Sequence, residues 1–154
     1  MHPDMLQAVT ETLPAAPVDG PAGHGTVLVG YRAVEELARF AIDPRWTVHV
    51  PGHPDEVRRV IRSAVGRGER AFVHLSGESN AEPHGLTEGF ELVREGLDGV
   101  VLAVGATLDP VLRATAGLDL AVLYAATVRP FDEVALRTAV LAAADADVVL
   151  VEPG

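Results

Sequence analysis

The sequence contains no cysteine. Disulfides, thiolate nucleophiles and thiolate metal sites are therefore excluded. Cations are scarce as well: Lys and Arg total 12 against 22 Asp and Glu, a formal net charge of -10. Binding a phosphate backbone requires clustered basic side chains. No such cluster occurs, so nucleic acid is not an expected partner, and an anionic membrane surface is disfavoured for the same reason. Long apolar runs are missing too. None approaches the roughly 20 residues that a spanning helix requires. The opening stretch "MHPDMLQAVTETLPAAP" has neither the basic start nor the apolar core of a signal peptide. These absences point to a cytoplasmic protein. What is present is 154 residues, 48% of them hydrophobic, which suits one compact domain or two small ones with a real core.

From residue 25 onward, strand and helix patterns alternate. "TVLVG", "WTVHV" and "RAFVHLS" read as strands. "RAVEELARFAI" reads as a helix with Val34, Leu37, Ala38 and Ile42 on one side, and "PDEVRRVIRSAVGRG" as a helix with Pro54 near its start, acids in its first turn and glycines after it. "GESNAEPHGLTEG" (77–89) is polar and turn-rich, as a linker is. "FELVREG" then reads as a short edge strand, "GVVLAVG" as a buried strand, and "ATLDPVLRATAG" as a helix capped by Thr107. "DLAVLYAATV" is one further strand, "FDEVALRTAVLAAAD" a helix and "DVVLVEPG" a closing strand. Continuous apolar runs, in place of alternating ones, imply strands covered on both faces of mainly parallel sheets. In "LYAATVRPFDEVAL" the proline stops the strand by about Val128 or Arg129, and Asp132 is placed to cap the next helix. "MLQAVTETL" fits a helix, and "PAAPVDGPAGHG" a loop.

Short motifs add little chemistry. The glycines of "GPAGHGTVLVG" precede a strand, whereas a phosphate-cradling loop follows one and opens a helix. His49 and His53 stand four apart but are separated by Pro51-Gly52, so they read as surface or packing residues and not as a metal pair. His74 alternates with apolar neighbours in a strand and reads as structural. Ser76 and Ser79 lack a nucleophile-elbow setting, and Trp46 reads as a core residue.

The order of elements carries more. "WTVHVPGHPDEVRRVIRSAV" followed by "AFVHLSGESNAEP" resembles the end of the pyrimidine-binding domain of the transketolase family. "DGVVLAVGATLDPVLRATAGLDLAVLYAATVRPFDEVALRTAV" with the closing "DVVLVEPG" resembles the start of that family's C-terminal domain, the Val-Arg-Pro-Phe-Asp joint included. The match covers roughly residues 44 to 154 and is closest to transketolase-like proteins of high-GC bacteria. It implies an α/β fold of two small three-layer units with mainly parallel sheets, both incomplete. The expected layout is a lead-in over 1–24, a partial pyrimidine-binding-like domain over 25–76, a linker over 77–89 and a partial C-terminal-like domain over 90–154.

The resemblance also implies a function. It is transfer of two-carbon ketol units between sugar phosphates, with thiamine diphosphate and Mg, in a complete assembly. Neither the family's activating glutamate motif nor its Gly-Asp-Gly…Asn metal signature is present, so the isolated chain is expected to bind no cofactor and to lack activity. "DGPAGHG" resembles a family loop whose histidine approaches cofactor and substrate, which makes Asp19 and His24 cofactor-adjacent candidates. A second alignment sets "GHGTVLVG" against an earlier family strand, and both alignments stand. The family continues beyond "VVLVEPG", so exposed apolar area is expected around Val148 to Val151. Self-association or docking on a complementary transketolase subunit is expected through that edge and the Leu136/Val140 helix face. The other readings are a non-catalytic assembly module on a separate cofactor-binding subunit, and a truncated reading frame without its own function.

Overall fold

The structure, a computed structural model, describes residues 2–14, 19–20, 23–31, 34–85 and 88–154. The chain opens with α1 (Pro3–Thr12) and a short hairpin of β1 (Asp19–Gly20) and β2 (Gly23–His24). Then come β3 (Thr26–Gly30), α2 (Val34–Ala41), β4 (Thr47–His49), α3 (Pro54–Arg67) and β5 (Arg70–His74). The second half holds β6 (Glu91–Arg94), β7 (Gly99–Val104), a 3-10 turn at Gly105–Thr107, α4 (Leu108–Ala114) and β8 (Leu120–Ala125). It closes with β9 (Thr127–Arg129), α5 (Glu133–Ala142) and β10 (Val148–Val151).

Two four-stranded sheets result, each mainly parallel. The first runs β3-β5-β4-β9, with β9 alone antiparallel. The second runs β10-β7-β8-β6, with β6 alone antiparallel. This is the expected α/β class.

Local chemistry explains the helices. The His53 ring accepts the Asp55 N–H and so caps α3, Pro54 opens it, and Gly68 closes it in the left-handed region at φ 65. Val57, Ile61 and Ala64 on its inner face are buried. Val57 and Ile61 join Met5, Ala8 and Val9 of α1 with Val73 and Leu75 in one core cluster. Each such aliphatic burial is worth about 1.5–3 kcal/mol. Asp132 caps α5 as its position predicts, accepting the Ala135 N–H at 3.0 Å. Thr107 does not cap with its side chain; its hydroxyl donates to the Val104 carbonyl, which a helical turn provides closer at hand.

In the second sheet every residue of β7 is buried, as the apolar run predicts. Val100, Leu102 and Val104 face one cluster, while Val101 and Ala103 face another. Two departures from the sequence reading follow. "DLAVLYAATV" is two strands, because the chain leaves the second sheet after Ala125 and β9 pairs with β4 of the first. A continuous apolar run cannot reveal such a change of partner. Ile42 lies past the end of α2 and is 81% exposed, outside the apolar face assigned to it. The edge strand β10 is exposed over Val148 to Leu150, as expected for that end of the sheet, whereas Leu136 and Val140 of α5 are partly buried against the core. β9 itself ends at Arg129, before the proline, as expected.

No helix among the described residues is long and apolar enough to cross a membrane.

Candidate functional site

The polar centre of the described structure lies where β4 passes into α3. There the chain Val50-Pro51-Gly52-His53 meets the ends of β7 and β8. Val50 donates its N–H to the Ala126 carbonyl at 2.7 Å. Gly52 donates its N–H to the Tyr124 hydroxyl at 3.1 Å and, more weakly, to Glu56 Oε1 at 3.4 Å. The Tyr124 hydroxyl donates to Glu56 Oε1, and His84 N–H donates to Glu56 Oε2 at 3.2 Å. Glu56 and Tyr124 are both fully buried.

Every hydrogen-bond partner of Glu56 here is a donor, which is the arrangement an acceptor-only carboxylate requires. Burial nevertheless pushes the Glu56 carboxyl above its usual range, opposed by the Tyr124, His84 and Gly52 donors and by Arg59. Burial, and then the Glu56 charge, also pushes the Tyr124 hydroxyl up. Arg59 reaches the same place indirectly, donating to the His84 carbonyl at 2.6 Å.

Asn80 completes the junction. It is buried, its amide donates to the Gly105 carbonyl at 3.0 Å, and its carbonyl oxygen accepts the Asp109 N–H at 3.2 Å. Its own N–H donates to the Gly52 carbonyl at 2.7 Å. The segment read as a linker is thus bonded to both sheets. Glu56 and Tyr124 have no solvent access, and the network they form ties the two sheets together.

A cleft of about 400 Å³ opens nearby, lined in part by Thr47, His49, Arg59, Ser63, Arg67 and Thr127. His49 Nδ1 lies 2.9 Å from the Thr127 hydroxyl and Nε2 lies 3.2 Å from the Thr47 hydroxyl. Either neutral tautomer satisfies both threonines. Burial holds the imidazole down to about 4 from its usual 6.5. Arg67 pairs with Glu88 and, at 3.6 Å, with Glu69.

The sign of the His49 shift gives a prediction. The fold favours the neutral ring, so its contribution is complete above pH 6.5 and is lost as pH falls toward 4. Urea unfolding at pH 7 and pH 4.5 should therefore show about 2–3 kcal/mol more acid loss in the parent than in His49→Gln. Equal losses in both proteins would refute the assignment.

The structure separates the histidines named from the sequence. His49 bridges two threonines and His53 caps α3, so they do not converge as metal ligands. His74 is buried at the end of β5. Ser76 accepts the Glu78 N–H and Ser79 donates to the Asn80 carbonyl, both local turn contacts. Trp46 is half-buried and meets Phe40 edge-on at 4.9 Å.

For Asp19 and His24 only the backbone is described; their side chains lie outside the described part. The two residues pair across the β1–β2 hairpin. Gly25 follows against the turn at Gly68–Glu69, where β5 begins. That end lies about 16 Å, one five-residue strand, from the ends of β3 and β5 at Gly30 and His74.

The described residues do not fit a thiamine diphosphate site. Among them the one buried carboxylate, Glu56, is turned inward and saturated by protein donors. Among the described residues no three His, Asp or Glu side chains are grouped to hold a metal ion.

Comparison with solved structures decides the fold. The chain matches a split-gene transketolase, described as an inactive beta4 tetramer, with a TM-score of 0.69 and 19% identity over 82% of this chain and 47% of that one. It matches transketolase from Leishmania mexicana with a TM-score of 0.60 and 23% identity, over 88% of this chain and 21% of that one. The chain is transketolase-like. No protein-family model matches it. Among curated proteins, an uncharacterized 33.6 kDa protein in the fasciation locus of Rhodococcoides fascians is 43% identical over 143 residues, 84% of this chain and 46% of that protein. 1-Deoxy-D-xylulose-5-phosphate synthase 1 of Geobacter metallireducens is 31% identical over 129 residues, 74% of this chain and 19% of that enzyme. The transketolase-like chain thus spans less than half the length of each of these proteins.

Sequence reasoning missed the junction itself. Its signals were a lone tyrosine in the buried run "AVLYAA", whose hydroxyl demands a buried partner, and a glutamate in the first turn of α3. Nothing in the sequence joined the two.

Proposed function

We propose that this chain is one part of a thiamine-diphosphate-dependent enzyme of transketolase type, and that it contributes scaffold and assembly surface, not catalytic groups. In that reading the complete assembly moves two-carbon ketol units between sugar phosphates in the cytoplasm. Residues 25–76 and 90–154 contribute pyrimidine-domain-like and C-terminal-domain-like parts. Cofactor and metal are held by another subunit, and the isolated chain is inactive.

The observation that carries this reading is the inward turn of the Glu56–Tyr124–Gly52–His84 network, which joins the two sheets with Glu56 and Tyr124 closed to solvent. The likeness to a split-gene transketolase supports it, since that protein's own subunit is described as forming an inactive tetramer. The reading rests on neither Asp19 nor His24.

Calorimetric titration of the purified chain with thiamine diphosphate and magnesium tests it. The expected result is no saturable heat. A saturable micromolar isotherm would place cofactor binding in this chain and overturn the reading.

A further inference from the structure

The cleft beside the junction holds chemistry that the scaffold reading leaves unused. Its lining residues all lie between positions 47 and 130, and its walls are α3, the paired strands β4 and β9, and part of the segment between the sheets. Its volume of about 400 Å³ falls within the range of small-molecule sites.

One wall is cationic. Arg59, Ser63 and Arg67 follow one another at helical i, i+4 spacing along α3, which sets them on one face. The two arginines stand about 12 Å apart along the helix axis with Ser63 midway, so each side chain can reach the middle. Arg59 commits a single guanidinium N–H, to the His84 carbonyl at 2.6 Å, and the rest of its fork is uncommitted among the described residues. Ser63 is half-buried, and its hydroxyl has no hydrogen-bond partner among the described residues. The facing wall carries no charge: the Thr47 and Thr127 hydroxyls hold the neutral His49 ring there. Val60, Ala64, Ala126 and Pro130 supply apolar surface.

Two acids oppose the arginines. Glu69 lies 3.6 Å from Arg67, and Glu88 pairs with Arg67 while its side chain stays 73% exposed. An exposed pair of this kind contributes little, so an incoming anion can replace Glu88 on the guanidinium. Two guanidinium forks and a hydroxyl offer more donors than one carboxylate accepts, and they match the three oxygens and double charge of a phosphate ester.

We propose that this cleft binds a small organic phosphate, its phosphoryl oxygens held by Arg59, Ser63 and Arg67 and its uncharged body lying on Val60, Ala64 and Pro130. Glu88 is the internal competitor for that position. The proposal goes beyond the assembly reading and does not rest on it.

Phenyl phosphate is the probe and benzyl alcohol its uncharged counterpart, with magnesium and thiamine diphosphate left out so that cofactor binding is not what is read. Amide chemical shifts of the 15N-labelled chain at neutral pH and low salt should move saturably at Ser63 and Thr127 with phenyl phosphate, about tenfold more tightly than with benzyl alcohol. Arg67→Gln, at an exposed position, should weaken phenyl phosphate about fivefold, whereas Glu88→Gln, which removes the competing carboxylate, should tighten it about twofold or more. Shifts that do not saturate by about 20 mM, or equal binding of the two probes, overturn the proposal. So does tight binding that neither variant changes, because the phosphate then sits elsewhere.

Discussion

Glu56→Ala should lower the unfolding free energy by about 3–5 kcal/mol, because it strands the buried Tyr124 hydroxyl, removes the acceptor of the His84 N–H and opens a void. The Gly52 N–H keeps its shorter bond to the Tyr124 hydroxyl. An unsatisfied buried donor costs about 1–3 kcal/mol. Glu56→Gln should cost less, since its amide oxygen still accepts from Tyr124 and Gly52, while its NH₂ faces the His84 N–H and loses only that bond. The pH dependence has a defined sign. Burial raises the Glu56 carboxyl in the fold, so its contribution is complete below its unfolded value of about 4.5 and declines as pH rises through the folded value. The deficit of the Gln variant should therefore shrink from pH 5 to pH 8 in urea unfolding. An Ala variant within 1 kcal/mol of the parent, measured the same way, would show that the junction does not hold the sheets together (about the span of one ordinary surface change).

That junction marks the boundary of what the sequence made legible. The element order of both sheets could be read because each helix carries its own punctuation. Pro54 at the start of α3, Gly68 after it and Asp132 before α5 are local signals acting within a turn. Buried strands were legible as apolar runs, and the proline after Arg129 fixed where β9 stops. What could not be read was anything set by distant pairing. β9 looks like the tail of β8, yet it joins the other sheet, because the partner it needs lies 81 residues upstream, where Val48 opposes Arg129 at a register shift. Glu56 reads as a dipole-favoured acid in the first turn of a helix, and only the fold brings it to a tyrosine 68 residues away. The family resemblance ran through the order of elements, which is why it led to the fold. It led less directly to the site, because the polar residues that matter here are packed between the sheets and belong to no short motif. His49 shows the same limit. Its strand and its neighbour Thr47 were evident, but its Thr127 partner depends on β9 crossing over.

Gly105→Ala should destabilise the chain by about 3–4 kcal/mol, and the glycine at 117 supplies the control that assigns the cause. Both residues sit in the left-handed region, at φ 60 and φ 79. A side chain there costs roughly 1–2 kcal/mol in either place. The surroundings differ. A Cβ on Gly105 would lie 2.8 Å from the Val50 carbonyl oxygen and 2.9 Å from Val50 Cγ1, whereas a Cβ on Gly117 would meet nothing within 4 Å. The Val50 contact is mainly backbone, so it cannot be relieved by turning a rotamer. The end of β4 would have to retreat from the end of β7, at about 1–3 kcal/mol for an overpacked contact. That retreat would stretch three bonds of the junction: Asn80 to the Gly105 carbonyl, Asn80 N–H to the Gly52 carbonyl, and Gly52 N–H to Tyr124. Gly52 is under the same constraint from the other side, since a Cβ there would stand 2.7 Å from the Gly105 carbonyl. Denaturant unfolding of the parent, Gly105→Ala and Gly117→Ala is the measurement. If the close approach of the two sheets matters, Gly105→Ala loses about 2 kcal/mol more than Gly117→Ala. If the two variants lose the same amount, backbone strain is the whole effect, and the sheets are held together by something other than this contact.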